Sequence, residues 1–213
     1  LVNFYKNYNE TNGSAKEYFE LMGINHTSVD LNGEDGALKI DLRELVSEDT
    51  KKYDIITNIG TTEHVYPHQY ICYKNLHRLL KPGGIFVHCV PKVGHWDAHS
   101  PYHYEEEFFK HLIAENNYEN ITTGDEIIGA DVMIFAVFRK KEESEFIQES
   151  FFNDILDVYA KFSKSFLTTN NLMGNNIIFI HNIKVPGREE RSKPYEFSLK
   201  SWRYWADKHG HEL

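Results

Sequence analysis

Apolar residues in this chain come in two kinds of run, short continuous ones and longer ones with helical spacing, and they alternate. Between residues 53 and 91 the alternation is clearest. Tyr53, Ile55 and Ile56 form a run too short for a helix, and it opens into a polar turn carrying Asn58, Gly60, Thr61, Thr62, Glu63 and His64. A buried strand that empties into a functional loop has this form. Tyr70, Tyr73, Leu76, Leu79 and Leu80 then recur at helical spacing, Lys81-Pro82-Gly83-Gly84 stops them, and a second apolar run, Ile85 to Val90, is closed by Pro91. Strand, helix, turn and strand in this order predict a parallel pair joined by a right-handed crossover.

The flanking chain extends the alternation. Residues 1–5 read as a brief strand and 6–13 as a polar loop. Ser14 with Glu17 makes a capping box for a helix whose apolar side is Tyr18, Phe19, Leu21 and Met22, and Gly23 ends it. Extended segments at 26–31 and 37–42 flank an Asn32-Gly33 turn and place Asp30 and Asp41 at or near their ends. Beyond Pro91 comes a loop dense in histidine and aromatics, residues 92–104. A helix over 105–116, turned inward by Phe108, Phe109, Leu112 and Ile113, precedes extended segments at 118–122 and 132–138, which complete a β/α array. Residues 140–149 read as a charged surface turn. The spacing of Phe152, Ile155, Leu156, Tyr159 and Phe162 predicts a helix over 151–166. A polar linker, a strand at 177–180, a charged loop and an aromatic helix at 195–208 finish the chain.

Composition narrows the functions open to such an array. With 41% hydrophobic and 14% aromatic residues the chain can build a core. Lys+Arg of 23 against Asp+Glu of 32 gives 23 − 32 = −9, with the basic residues scattered, which argues against a nucleic-acid partner. Cys72 and Cys89 form no ligand cluster and suit a reducing compartment. No apolar run approaches the roughly 20 residues that span a bilayer. The expectation is a soluble, cytoplasmic protein without a membrane partner.

The ordered motifs, namely Asp30 at a strand end, Asp41-Leu42, Tyr53-Asp54-Ile55-Ile56 opening into Thr62-Glu63-His64-Val65, and Leu80-Lys81-Pro82-Gly83-Gly84, resemble class I S-adenosylmethionine-dependent methyltransferases. The resemblance covers about residues 13–140. It implies an α/β, Rossmann-like, mostly parallel sheet with helices on both faces and the cofactor across the carboxyl ends of the strands. The domain would be 1–140, followed by a C-terminal helical extension over 141–213. One departure stands out: only Gly13 represents the family's glycine-rich loop, so the first strand is either divergent or missing.

The resemblance also implies a set of cofactor contacts. Asp30, with Leu31, would hold the ribose hydroxyls of S-adenosylmethionine, a two-point contact suited to a carboxylate. Asp41 and Leu42 would meet the adenine, Gly13 the amino-acid end, and Asn58, Ile59 and Gly60 the methionine side, with Glu63 a further cofactor contact at the start of the helix beyond the strand. Without the resemblance, Asp30 reads as a turn residue, Asp41 as a helix cap and Glu63 as a first-turn acid. Transfer to a hydroxyl or amine needs alignment and a base, and His95 or His99 in the loop after Pro91 fits that role, with Asp97 to orient it. Trp96, Tyr102 and Tyr104 either stack on a sugar or pack the loop down. A zinc site on the loop histidines has only weak support, since neither Cys72 nor Cys89 is placed to join them and histidine-rich loops are commoner than metal sites.

Two outcomes remain open for residues 141–213. Ile178-Phe179-Ile180-His181-Asn182 and Ser201-Trp202-Arg203-Tyr204-Trp205 resemble the opening of a glycosyltransferase, which implies a piece of a larger glycan-modifying polypeptide. Otherwise the segment covers the domain or forms a homodimer. The expected function is methyl transfer to a small-molecule or sugar-containing acceptor, against a non-catalytic Rossmann-like binding or scaffold module.

Overall fold

The computed structural model describes residues 16, 19–20, 23–34, 36–47, 49–96 and 99–163. Ser14, Glu17, Gly13, Asp97 and the 164–213 segment with its glycosyltransferase-like motifs lie outside the described residues. The described strands before Ile40 belong to one compact unit and residues 40–163 to a second.

In the first unit, the predicted helix stop is present. Gly23 adopts φ 75°, its N–H donates to the Glu20 carbonyl, and the Ile24 N–H reaches back to Phe19. This pair of bonds closes a helix with a left-handed residue that glycine supplies at little cost. Strands β1 (Val29–Asp30) and β2 (Leu38–Lys39) pair in parallel. Both are shorter than the extended segments expected around them, because the Asn32-Gly33 turn already bends the chain.

The second unit is built on β3 (Tyr53–Ile59), α1 (Gln69–Leu79) and β4 (Leu80–Pro91). β3 and β4 pair in parallel from Ile55 opposite Ile85 to Ile59 opposite Cys89, as the crossover pattern predicts. Next come β5 (Tyr102–Tyr104), α2 (Glu106–Glu115), β6 (Glu119–Ile128), β7 (Asp131–Arg139), α3 (Glu149–Tyr159) and β8 (Ala160–Phe162). Among the described residues the main sheet has the order β3-β4-β7-β6, and β5 pairs with β8. The result is an α/β, Rossmann-like arrangement with a parallel β3–β4 pair and antiparallel strands beyond β4.

Three sequence expectations change. Lys81-Pro82-Gly83-Gly84 does not lie between helix and strand as a free turn. It is an irregularity inside β4, held by the Gly83 N–H on the Lys140 carbonyl and the Lys140 N–H on the Gly84 carbonyl. Residues 118–138 form a hairpin turning at Gly129, since β6 runs on to Ile128. The last described helix ends at Tyr159, where three residues peel off as β8 to cover the Tyr102–Tyr104 edge.

Phe108, Phe109, Leu112 and Ile113 of α2 and Phe152, Ile155 and Leu156 of α3 pack with Tyr73, Phe86 and Phe138 into one core. The predicted apolar faces are therefore the ones buried. Phe146 joins them, so part of the expected charged surface turn is interior. Lys140 is also interior: its amine donates to the His77 and Leu80 carbonyls where α1 ends and reaches Glu143. Burial lowers its pKa from the ordinary lysine range. Cys72 on α1 and Cys89 on β4 are both fully buried. Among the described residues no helix is long and apolar enough to cross a membrane.

Candidate functional site

Parallel strands release their following loops at the same edge, and here β3 and β4 deliver two loops side by side. The loop after β3 turns at Gly60. Its φ of 69° lies in the left-handed region, and its N–H bonds the Cys89 carbonyl of β4. A short 3-10 turn, Thr62–His64, follows. The loop after β4 carries His95, Trp96 and His99.

Asn58 fastens the first loop to the core. Its side-chain carbonyl accepts from the Thr62 N–H at 3.1 Å, and its amide donates to Thr62 Oγ1 at 2.9 Å and to His88 Nδ1 at 2.8 Å. Tyr73 shares a further hydrogen bond with Thr62. Gln69 donates to the Thr62 and Val65 carbonyls and accepts from the Tyr104 hydroxyl. His88, buried among Tyr73, Phe109 and Phe138, is held neutral, its pKa pushed down to about 3 by burial.

This network presents Glu63. The side chain has no exposed surface, and neither carboxylate oxygen makes a hydrogen bond among the described residues. Burial pushes its pKa up to about 8, and the nearby Glu63 and Thr61 amides, too poorly aligned to count as hydrogen bonds, offset only part of the effect. A first-turn acid in solvent would show none of this. Glu63 Oε1 lies 3.8 Å from His64 Nε2 and 3.9 Å from His99 Nε2. The two imidazoles meet edge to face at 4.9 Å, and Trp96 packs on His99 at 5.6 Å. Burial, with help from the neighbouring His99 and His103, drives His64 down to about 4. His99 is lowered as well, by burial first and His103 second.

The remaining sequence candidates fall in several places. His95 sits away from Glu63, with Nδ1 3.8 Å from Asp131 Oδ1, and the Trp96 N–H donates to the same carboxylate oxygen. Asp131 was not among the candidates; it comes from β7, whose place beside β4 the sequence did not reveal. Tyr102 and Tyr104 are core residues of β5, so of the three aromatics only Trp96 stays with the loop histidines. Asp30 is buried at the end of β1, accepting from the Asn32 N–H at 2.8 Å, with Leu31 half-buried beside it. Asp41 caps the Arg43 N–H and binds the Arg43 guanidinium at 2.6 Å, which holds its carboxyl below the usual carboxylate range. Leu42 packs with Val65 and Cys72. Asn75 fixes this stretch to α1 through the Leu42 and Glu44 carbonyls and the Val46 N–H. Ile59 is half-buried at the end of β3.

A parallel strand pair with a polar, partly buried cluster at its carboxyl edge is where open α/β sheets generally take their ligands. A match of sequence narrows this further: residues 12–88 match the family described as Methyltransferase domain. No curated protein matches the chain. One similar solved structure is the 1,6-didemethyltoxoflavin-N1-methyltransferase of Burkholderia thailandensis, with bound 1,6-didemethyltoxoflavin and S-adenosylhomocysteine. It is 16% identical, with 60% of this chain and 67% of that chain covered and a TM-score of 0.44. The N-methyltransferase NodS of Bradyrhizobium japonicum WM9 is 13% identical, with 50% and 60% covered and a TM-score of 0.37. A structure from work on conversion of a disulfide bond into a thioacetal group during echinomycin biosynthesis is 12% identical, with 68% and 78% covered and a TM-score of 0.43.

Proposed function

We propose that this chain transfers a methyl group from S-adenosylmethionine to a hydroxyl or amine of a small-molecule or sugar-containing acceptor. The observation that carries the reading is the methyltransferase-domain match over residues 12–88, which runs through the loop after β3 and ends inside β4. The net charge of −9 favours a small acceptor over a polyanion.

Some residues here fit the cofactor better than others. Gly60 fits: its left-handed turn brings bare backbone to the edge, with only Glu63 Oε1 within 4 Å of where a Cβ would stand. Asp30 has a carboxylate for a ribose, and Gly13 and Leu31 follow it from the family pattern. Asn58 and Asp41 fit less well as direct contacts, because their polar atoms already serve Thr62, His88 and Arg43. Asn58 then acts by fixing Ile59 and Gly60, and Leu42 by its backbone. When bound, the sulfonium supplies an electrophilic methyl; the protein's own task is to align the acceptor and take its proton.

His95 is the base of choice in this reading. Asp131 stands beside its Nδ1 and can orient the ring, leaving Nε2 for an acceptor proton. His99, the other candidate, faces Glu63 and His64 instead.

Isothermal titration of the full chain with S-adenosylhomocysteine tests the proposal. Saturable binding is expected, weakened at least tenfold by Asp30→Ala. The absence of heat from the parent chain would leave the non-catalytic binding or scaffold module as the better description.

A further inference from the structure

Glu63, His64 and His99 pose a problem that methyl transfer does not answer. A carboxylate without exposed surface is expensive unless something partners it. Both Glu63 oxygens lack a hydrogen bond among the described residues, yet two imidazole nitrogens face Oε1 at 3.8 and 3.9 Å. Those distances are too long for hydrogen bonds. They suit side chains arranged around a common guest: the three ligand atoms all lie within 4.8 Å of one another. A divalent transition ion holds nitrogen and carboxylate oxygen at about 2.0–2.2 Å, so a small inward movement of the three groups would enclose one.

The surroundings favour such an ion. Asn58 and Gln69 fix the backbone on either side of Glu63 and His64, so two ligands are preorganised by the core. Trp96 packs on the third, His99, whose side chain is 44% exposed and opens an entry path. Two imidazoles and one carboxylate form a donor set that suits first-row transition ions better than magnesium or calcium.

We propose that Glu63, His64 and His99 form a binding site for a first-row divalent transition ion, of the zinc or manganese type. With three protein ligands the ion keeps at least one position for water or for an oxygen of an acceptor. The inference does not require the methyl-transfer reading, although Glu63 and His99 are also candidates there, as a cofactor contact and as a base.

Titration of the chelator-stripped full chain with Zn²⁺ and Mn²⁺ tests it. One ion per chain should bind saturably, and His99→Ala and Glu63→Gln should each weaken binding at least tenfold, with unchanged far-ultraviolet circular dichroism. His68→Ala, which removes an exposed histidine outside the cluster, should bind like the parent. No saturable binding, or equal binding by parent and His99→Ala, would overturn the site. S-adenosylhomocysteine titrated in the presence of chelator reads the methyltransferase proposal separately, so either can fail alone.

Discussion

Asn58 makes its contribution through geometry. Its amide and carbonyl satisfy Thr62 twice and His88 once in a buried place, so replacing it strands several polar groups at once. An Asn58→Leu variant should lose roughly 2–5 kcal/mol, at about 1–3 kcal/mol for each orphaned group, measurable by urea denaturation. It should also loosen the turn that presents Glu63. Glu63 itself was legible only in part. The Glu63-His64 pair drew notice in the sequence as the start of a turn, but its partner His99 sits on a different loop. What unites them is the parallel register of β3 and β4, and no local pattern encodes that.

Within β4 the paired glycines do separate work. Gly83 has φ 80° and open space around it, whereas a Cβ on Gly84 would stand 2.7 Å from Leu80 Cδ1 and 2.9 Å from the Asp54 carbonyl oxygen. Gly84→Ala should therefore push β3 and β4 apart and cost about 1–3 kcal/mol, seen as a lowered midpoint in chemical denaturation. The glycine pair was recognisable as structural from sequence alone. Its place inside a strand was not, because the bonds that hold it come from Lys140, just past the end of β7. The helices were easier to read. Phe108, Phe109, Leu112 and Ile113 share one stripe and are buried together, since helical periodicity is a local signal. Phe162 continued the period of α3, and the pairing of β8 with β5 overrode it.

Acid should unfold the second unit through its interior imidazoles. His88 and His77 have folded pKa values pushed down to about 3 and about 4, burial being the largest cause for each. Unfolded, both return to about 6.5. Between these values the unfolded chain binds more protons, so stability rises with pH there and is lost as pH falls below about 6.5. His64, lowered to about 4, adds to this, whereas Glu63, raised to about 8, works the other way and gains stability as pH falls. Thermal melts at pH 7.5 and 5 should show a lower midpoint at pH 5, with a larger drop in Glu63→Gln, and a midpoint that stays level in that variant would mean the rings take up protons in place. The parallel β3–β4 pair and the crossover helix were readable in the sequence; the antiparallel side of the sheet was not. It depends on β7 choosing β4 as its neighbour across an intervening helix, a tertiary choice.

Both thiols of the chain, Cys72 on α1 and Cys89 on β4, lie on neighbouring elements of the same crossover and show no exposed surface. Burial also raises the Cys72 thiol far above its ordinary range, so little thiolate exists to react. Oxidants and alkylating reagents must therefore wait for α1 to lift from the sheet. How fast these two thiols are consumed under oxidative stress is set by how often that opening occurs, and whatever tightens the crossover also protects them.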